Sequence, residues 1–150
     1  MDLGEAAIHV FNCHLGLGWR ERRRQAAQLL SADVLRDAAL AYPLVLVGDF
    51  NAWSSRAAVP RWIRRLLADA AVVARAQRPT FPSAFPLLRL DRAYVGPAVR
   101  VLGCRVHDSR LARLASDHLP VVAEVEIEPA ARRPPRARPL TTRGVTTEVG

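Results

Sequence analysis

Residues 43–52 read PLVLVGDFNA, and this stretch decides the plan of the chain. The continuous apolar run Leu44–Val47 stops at Gly48, as is typical of a short strand that is covered on both faces. Asp49 and Asn51 follow at once, just past the strand end where α/β sheets usually build their sites. Taken alone, GDFN favours an ordinary turn, because Asp and Asn side chains also bond the backbone of turns.

The segments around this strand alternate between β-like and helical patterns. Strands are predicted at 6–15, 44–47, 89–95, 99–107 and 119–127, and helices at 19–39 and 60–68. Alternation along the first strand sets His14 on the face opposite Phe11 and Cys13. The order β-α-β-α-β-β-β indicates a layered α/β (α+β) domain with a mixed sheet and flanking helices.

Composition separates the chain into a body and a tail. The 150 residues are 50% hydrophobic, which favours one folded domain over a disordered chain. All 22 basic residues are Arg, against 14 acidic residues, so the formal charge is +8. Half of that positive charge lies in residues 129–150, which contain five Arg, one acid and four Pro. This composition predicts a disordered tail that follows a domain at 1–128. Such a tail is either solvated or a basic arm that touches nucleic acid.

The sequence has few features that indicate the cellular compartment of the protein. The longest apolar stretch, 38–47, is about half of the ~20 residues that a membrane span needs, so no membrane span is expected. The first residues have no basic region before an apolar run, so no signal peptide is expected either. Cys13 and Cys104 lie in strand-like apolar stretches and are expected to be reduced core thiols. Together these features predict a cytoplasmic protein.

Further polar residues lie at the ends of predicted strands or inside one. In SDHLP, at 116–120, Asp117 stands beside His118 and could supply a metal ligand or a partner to a general acid/base. Alone, the motif also fits a surface loop. His14 ends the first strand and could be a partly buried core histidine. Asp91 lies inside a strand-like run, where an acid without a partner is unfavourable.

Six segments of the sequence, taken in order along the chain, resemble those of a known protein family. They are NCHLGL (12–17), ERRRQ (21–25), PLVLVGDFNAW (43–53), TFPS (80–83), RLDRAYV (89–95) and SDHLPV (116–121). The series resembles the endonuclease/exonuclease/phosphatase superfamily from about residue 6 to residue 126, with GDFN and SDH as its most specific parts. The resemblance implies a DNase I-like layered sandwich and hydrolysis of phosphodiester or phosphomonoester bonds, nucleic acid included.

The resemblance also implies a role for each matched residue. His14 corresponds to the histidine that contacts the scissile phosphate and assists as acid or base. Asp49 corresponds to the aspartate that positions or deprotonates the attacking water, and Asn51 to the asparagine that orients water and phosphate. Asp91 corresponds to an aspartate that supports a histidine, and His118 to the histidine that acts on the phosphate.

The implied metal site is oxygen-rich. Asp117 corresponds to the metal-linked aspartate, and carboxylate chemistry of this kind suits Mg²⁺ or Mn²⁺ rather than zinc. The family's earlier half, with an Asn motif and a strand-borne Glu that binds Mg²⁺, has no counterpart before the HLGL strand, where only Asp2 and Glu5 stand. Only the C-terminal portion of the domain is therefore matched, and weak metal binding is expected. A sheet face left apolar and exposed would favour self-association or a partner chain.

Three functions compete at this point. The first is a metal-dependent phosphoesterase that acts on a phosphate-ester substrate. The second is a catalytically inactive homologue that serves as a binding or assembly module. The third is a nucleic-acid binder that uses the tail or the cluster Arg20, Arg22, Arg23 and Arg24, and it is disfavoured because no aromatic platform is interleaved with these residues.

Overall fold

A computed structural model describes residues 8–37, 40, 43–54 and 56–127. Its strands are β1 (His9–His14), β2 (Leu44–Asp49), β3 (Ala68–Asp69), β4 (Asp91–Val95), β5 (Val99–Val106) and β6 (Val121–Ile127). Its helices are α1 (Trp19–Leu29), α2 (Ala58–Ile63), α3 (Ala70–Val73) and α4 (Arg110–Ala115). The predicted α/β architecture is confirmed, and the tail at 129–150 lies outside the described residues.

The strands form two sheets. A four-stranded sheet has the order β1-β2-β4-β3, and β5 pairs with β6 in a second sheet. β1 and β2 run parallel, whereas β4 is antiparallel to both of its neighbours, so the first sheet is mixed, as predicted. The parallel pair needs a crossover, and α1 lies within it.

The central strand β2 is covered on both faces. Leu46 packs with Phe11 of β1, Ala26 of α1 and residues of α2 in the larger apolar cluster. Val45 points the other way and packs in a smaller cluster against Val99 and the second sheet. Both Val45 and Leu46 are buried, which explains why this strand has no polar alternation.

The helix predicted at 19–39 is shorter than expected. α1 ends at Leu29, and residues 31–36 form turns. The hydroxyl of Ser31 accepts a hydrogen bond from the backbone N–H of Asp33, a local contact that competes with helix formation. Residues 38 and 39 lie outside the described residues.

Three short elements were not predicted: β3, α3 and α4. They have two, four and six residues, which is shorter than the window over which periodicity can be detected. Two of them carry a capping signal. The carboxylate of Asp69 accepts the N–H groups of Ala71 and Val72 at the start of α3, and the hydroxyl of Ser109 accepts from Ala112 in α4. Among the described residues, every helix is too short or too polar to cross a bilayer.

Both thiols are free and half-buried. Burial, with a smaller contribution from the charge of Asp49, raises the pKa of the Cys13 thiol from 9.0 to about 11. We therefore expect iodoacetamide at pH 7.5 to alkylate Cys13 about 100-fold more slowly than a thiol with a pKa of 9.0, since only the thiolate reacts. Timed quenching and peptide mass spectrometry would measure the rate, with the urea-unfolded chain as the control. Equal rates in the native and unfolded protein would contradict the prediction.

Candidate active site

Strand register brings three of the predicted site residues side by side. His14 is the register partner of Asp49 across the parallel pair, and Asp49 is the partner of Asp91 across the antiparallel pair. Paired residues on neighbouring strands point to the same face of a sheet. The ends of β1 and β2 and the start of β4 therefore present an imidazole and two carboxylates at one edge of the sheet.

Side-chain distances confirm that these groups, together with His118, converge. His14 Nε2 lies 3.6 Å from Asp49 Oδ2, and His118 Nδ1 lies 2.8 Å from Asp91 Oδ2. Asp49, Asp91 and His118 each offer one ligand atom, and these atoms lie within 4.8 Å of one another. His14 remains mostly exposed, whereas the other three side chains are largely covered.

The contact between His118 and Asp91 fixes the imidazole. A carboxylate only accepts hydrogen bonds, so Nδ1 of His118 donates and Nε2 is the nitrogen left for other chemistry. Burial lowers the pKa of His118, but the hydrogen bond to Asp91 and the charges of Asp91, Asp49 and Asp117 raise it, and the net pKa lies above 6.5. The ring of Phe81 stands 4.9 Å from the imidazole, centroid to centroid. The resemblance implies this pairing, because Asp91 corresponds to an aspartate that supports a histidine.

Asn51 holds the turn that carries Asp49. Its backbone N–H donates to Asp49 Oδ1 at 2.8 Å, and its side-chain Nδ2 donates to the carbonyl of Leu15 at 2.7 Å. The side chain is buried, and the backbone has φ 46, a left-handed conformation that Asn tolerates better than most residues. The amide nitrogen thus ties the end of β2 to the loop after β1. The predicted contact of Asn51 with water and phosphate stays a prediction.

Thr80 is a site residue that sequence reasoning did not identify. Its buried hydroxyl accepts the backbone N–H groups of Leu90 and Asp91 at 3.2 and 3.3 Å. Its carbonyl accepts the N–H of Leu119 at 2.8 Å. Thr80 therefore stands between the strand that begins at Asp91 and the loop that carries His118, and it connects the two. The only sequence signal for Thr80 was the TFPS motif, which was identified by its resemblance to the family and not by the chemistry of its hydroxyl groups.

Ser83 holds the same loop from the other side. Its N–H donates to the carbonyl of Asp117 at 2.7 Å, and its hydroxyl donates to the carbonyl of Ser116 at 2.7 Å. Arg113 braces the segment through a hydrogen bond from Nη1 to the carbonyl of Ser83. The Asp117 side chain is exposed and offers no atom to the group of Asp49, Asp91 and His118. Its role as a metal ligand stays a prediction.

Thr80→Val is expected to lower the free energy of unfolding by about 1–3 kcal/mol. Valine has almost the same shape as threonine, but it leaves the backbone N–H groups of Leu90 and Asp91 without their acceptor. Urea denaturation followed by circular dichroism would measure the change. Thr80→Ser keeps the oxygen and should retain most of the stability. A larger loss in Thr80→Ser than in Thr80→Val would show that the methyl group, and not the hydroxyl, is what matters.

The donor chemistry fits a divalent cation. Asp49 and Asp91 are carboxylates on neighbouring strands with their oxygens close together, and oxygen ligands are those that Mg²⁺ and Mn²⁺ prefer. Nδ1 of His118 is occupied by Asp91, so the carboxylates are the stronger candidates to hold the ion. The described residues thus support a metal site.

The chain matches a known protein family. A model of the Endonuclease/Exonuclease/phosphatase family matches residues 3–118. The chain is 40% identical over 124 residues to the uncharacterized protein YbhP of Escherichia coli strain K12. That match covers 81% of this chain and 47% of YbhP, so the chain spans about half the length of the curated relatives it matches.

Solved structures agree with the family match. A functionally unknown conserved protein from Enterococcus faecalis V583 superposes with a TM-score of 0.65 at 26% identity, covering 79% of this chain and 50% of its own. A mannosyl-6-phosphatase from Bacteroides thetaiotaomicron gives a TM-score of 0.65 at 24% identity, over 79% and 51% of the two chains, and shows the shared fold alone. With the family match over residues 3–118, these findings establish that the chain belongs to the endonuclease/exonuclease/phosphatase family and has its DNase I-like fold.

Proposed function

We propose that this chain is a metal-dependent phosphoesterase, and that its reaction takes place at the sheet edge where Asp49, Asp91 and His118 meet. The observation that carries the proposal is the packing of their ligand atoms within 4.8 Å, beside His14. Phosphate-ester hydrolysis needs an aligned water, a counter-charge for the phosphate and a proton donor. These side chains supply groups suited to each requirement.

Asp49 is suited to the attacking water. One of its oxygens, Oδ1, is held by the N–H of Asn51, so the carboxylate has a fixed orientation. The other, Oδ2, lies 3.6 Å from His14 Nε2, and a water beside these groups would lose its proton to the carboxylate as it attacks phosphorus. His14, exposed at the strand end, is suited to contact the phosphate oxygens.

His118 is suited to the phosphate and the leaving group. Asp91 keeps the proton on Nδ1 and orients the ring, so Nε2 can donate a hydrogen bond or a proton to a phosphate oxygen. The neighbouring carboxylates favour the charged imidazolium, and its positive charge would stabilise the negative charge of the phosphate ester. A divalent cation held by Asp49 and Asp91, when bound, would supply further positive charge at the phosphate.

The runner-up function is a binding or assembly module without activity. One observation favours it: the described residues place no more than two carboxylates in the metal-type cluster. Because a Mg²⁺ site draws on one or two protein carboxylates plus substrate and water, the cluster should bind the ion weakly before substrate arrives.

Turnover of generic esters separates the two functions. Bis-p-nitrophenyl phosphate and p-nitrophenyl phosphate would be offered to the purified chain with Mg²⁺, with Mn²⁺ and with EDTA. We expect release of nitrophenol that depends on the cation and ceases in EDTA. No release with either cation, in a chain shown to be folded by circular dichroism, would favour the binding module. Release that is unchanged by EDTA would contradict the metal dependence.

A further inference from the structure

The start of α1 carries an arginine–tryptophan surface. Trp19, the first residue of the helix, is 59% exposed. The guanidinium of Arg20 lies 5.2 Å from the centre of the Trp19 ring, and that of Arg23 lies 5.9 Å from it. Arg23 also stands 5.2 Å from the ring of Trp62 in α2. Trp62 is half-buried beside the larger apolar cluster, so the exposed indole of this surface is that of Trp19, with the guanidiniums of Arg20 and Arg23 beside it. This differs from the sequence interpretation, which found no aromatic platform beside these Arg residues.

The guanidiniums of this surface are available to a ligand. Arg20, Arg23 and Arg24 are exposed, and none of the ion pairs among the described residues involves them. The acid within this run, Glu21, accepts a hydrogen bond from Gln25. An open groove of about 570 Å³ is lined by Trp19, Arg20 and Arg24 of this surface, together with Glu21, Gln25 and Gln28. Stacking on the indoles also limits the rotamers of the Arg side chains, so less entropy is lost when they bind an anion.

The surface adjoins the candidate active site. α1 begins directly after the short loop that follows His14. The start of that loop is fixed by two hydrogen bonds: the N–H of Leu15 donates to the carbonyl of Asp49 at 2.9 Å, and the side-chain oxygen of Gln25 in α1 accepts the N–H of Gly16 at 2.7 Å. The loop therefore connects this surface to His14 and Asp49.

We propose that the surface formed by Trp19, Arg20, Arg23, Arg24 and Trp62 binds single-stranded nucleic acid. Guanidiniums pair with phosphates, and the flat faces of indole and guanidinium stack on bases that are not enclosed in a duplex. An acidic protein segment or an anionic membrane would use the charges without the rings. That the bound strand is also the substrate rests on the proposed function; the binding itself does not.

Fluorescence anisotropy with labelled (dT)20 and U20, in EDTA and at 50 mM salt, tests binding without hydrolysis. We expect R20A/R23A to weaken binding about tenfold or more and to reduce the salt slope by about two, one for each lost phosphate contact. Trp19→Leu should weaken binding about fivefold or more through lost stacking, with little change in slope. Arg23→Lys, which keeps the charge but not the flat guanidinium, should also weaken it.

The matched control is Arg105→Ala, because Arg105 is an exposed arginine on β5 in the other sheet. The basic residues at 129–150 are common to all variants, so their contribution cancels. Equal weakening by Arg105→Ala and by R20A/R23A would overturn the proposal, and so would no binding at 50 mM salt. Competition by polyglutamate or anionic vesicles as strong as that by unlabelled (dT)20 would overturn it as well, in favour of an acidic or lipid partner. A comparison of (dT)20, U20 and duplex DNA assigns the preferred strand, and tighter binding to the duplex counts against the proposal.

Discussion

Asp49→Ala and His118→Ala are each expected to lower the cation-dependent rate of phosphoester hydrolysis by about 10²–10⁴, the usual contribution of a positioned acid or base. Asp49 is the carboxylate nearest to His14, and His118 is the imidazole that Asp91 orients. Removal of Asp49 takes away the carboxylate beside His14, and removal of His118 takes away the imidazole of the metal-type cluster. Initial rates with bis-p-nitrophenyl phosphate at saturating Mn²⁺ would measure the effect.

Two controls belong with this test. His107→Ala removes an exposed histidine whose ring contacts Ser109, outside the cluster, and Asp33→Asn neutralises an exposed acid in the turns after α1. Both should keep nearly the full rate. Asp91→Asn should fall between the controls and His118→Ala, because the imidazole remains but loses its carboxylate. Near-full activity in Asp49→Ala or His118→Ala would mean that the motif match reflects ancestry and not catalysis.

The arrangement of β1, β2 and β4 follows from features that can be read in the sequence. The apolar run before Gly48 predicts a strand covered on both faces, and both apolar clusters do cover it. The acid at Asp91 needed a partner inside a strand-like run, and the structure supplies His118. These inferences succeed because each depends on a local property: continuous hydrophobicity in one case and the cost of an unpaired charge in the other.

The contacts that hold the site are non-local, and their sequence signals are weak. Thr80 reaches the N–H of Asp91 across eleven positions, and Ser83 reaches the carbonyl of Ser116 across 33. A Thr or Ser in a loop is too common to indicate such partners. Trp62 likewise stacks on Arg23 only because α1 packs against α2. Periodicity finds elements, but it does not find which loop hydroxyl or ring meets which strand.

Gly48→Ala is expected to destabilise the protein by several kcal/mol, which is a large part of the ~5–15 kcal/mol that folded domains possess. Gly48 has φ +139, a conformation that costs a non-glycine residue about 1–3 kcal/mol. The added Cβ would also lie 1.8 Å from the carbonyl oxygen of Cys13. Because Cys13 is the register partner of Gly48 in the β1–β2 ladder, this oxygen belongs to the backbone and cannot move aside as a flexible side chain would.

The matched control for this substitution is Gly103→Ala. A Cβ there would meet nothing nearer than the Glu124 carboxylate, at 3.7 Å, so the loss of stability should be slight. Urea denaturation of both variants gives the comparison, and losses that agree within about 0.5 kcal/mol, the usual size of a surface effect, would contradict the prediction.

The same strain has a consequence for the site. Asp49 follows Gly48 directly, and any separation of β1 from β2 that relieves the overlap moves the Asp49 carboxylate away from His14. Any folded fraction of Gly48→Ala should therefore hydrolyse esters more slowly per folded molecule, whereas Gly103→Ala should hydrolyse them at the normal rate.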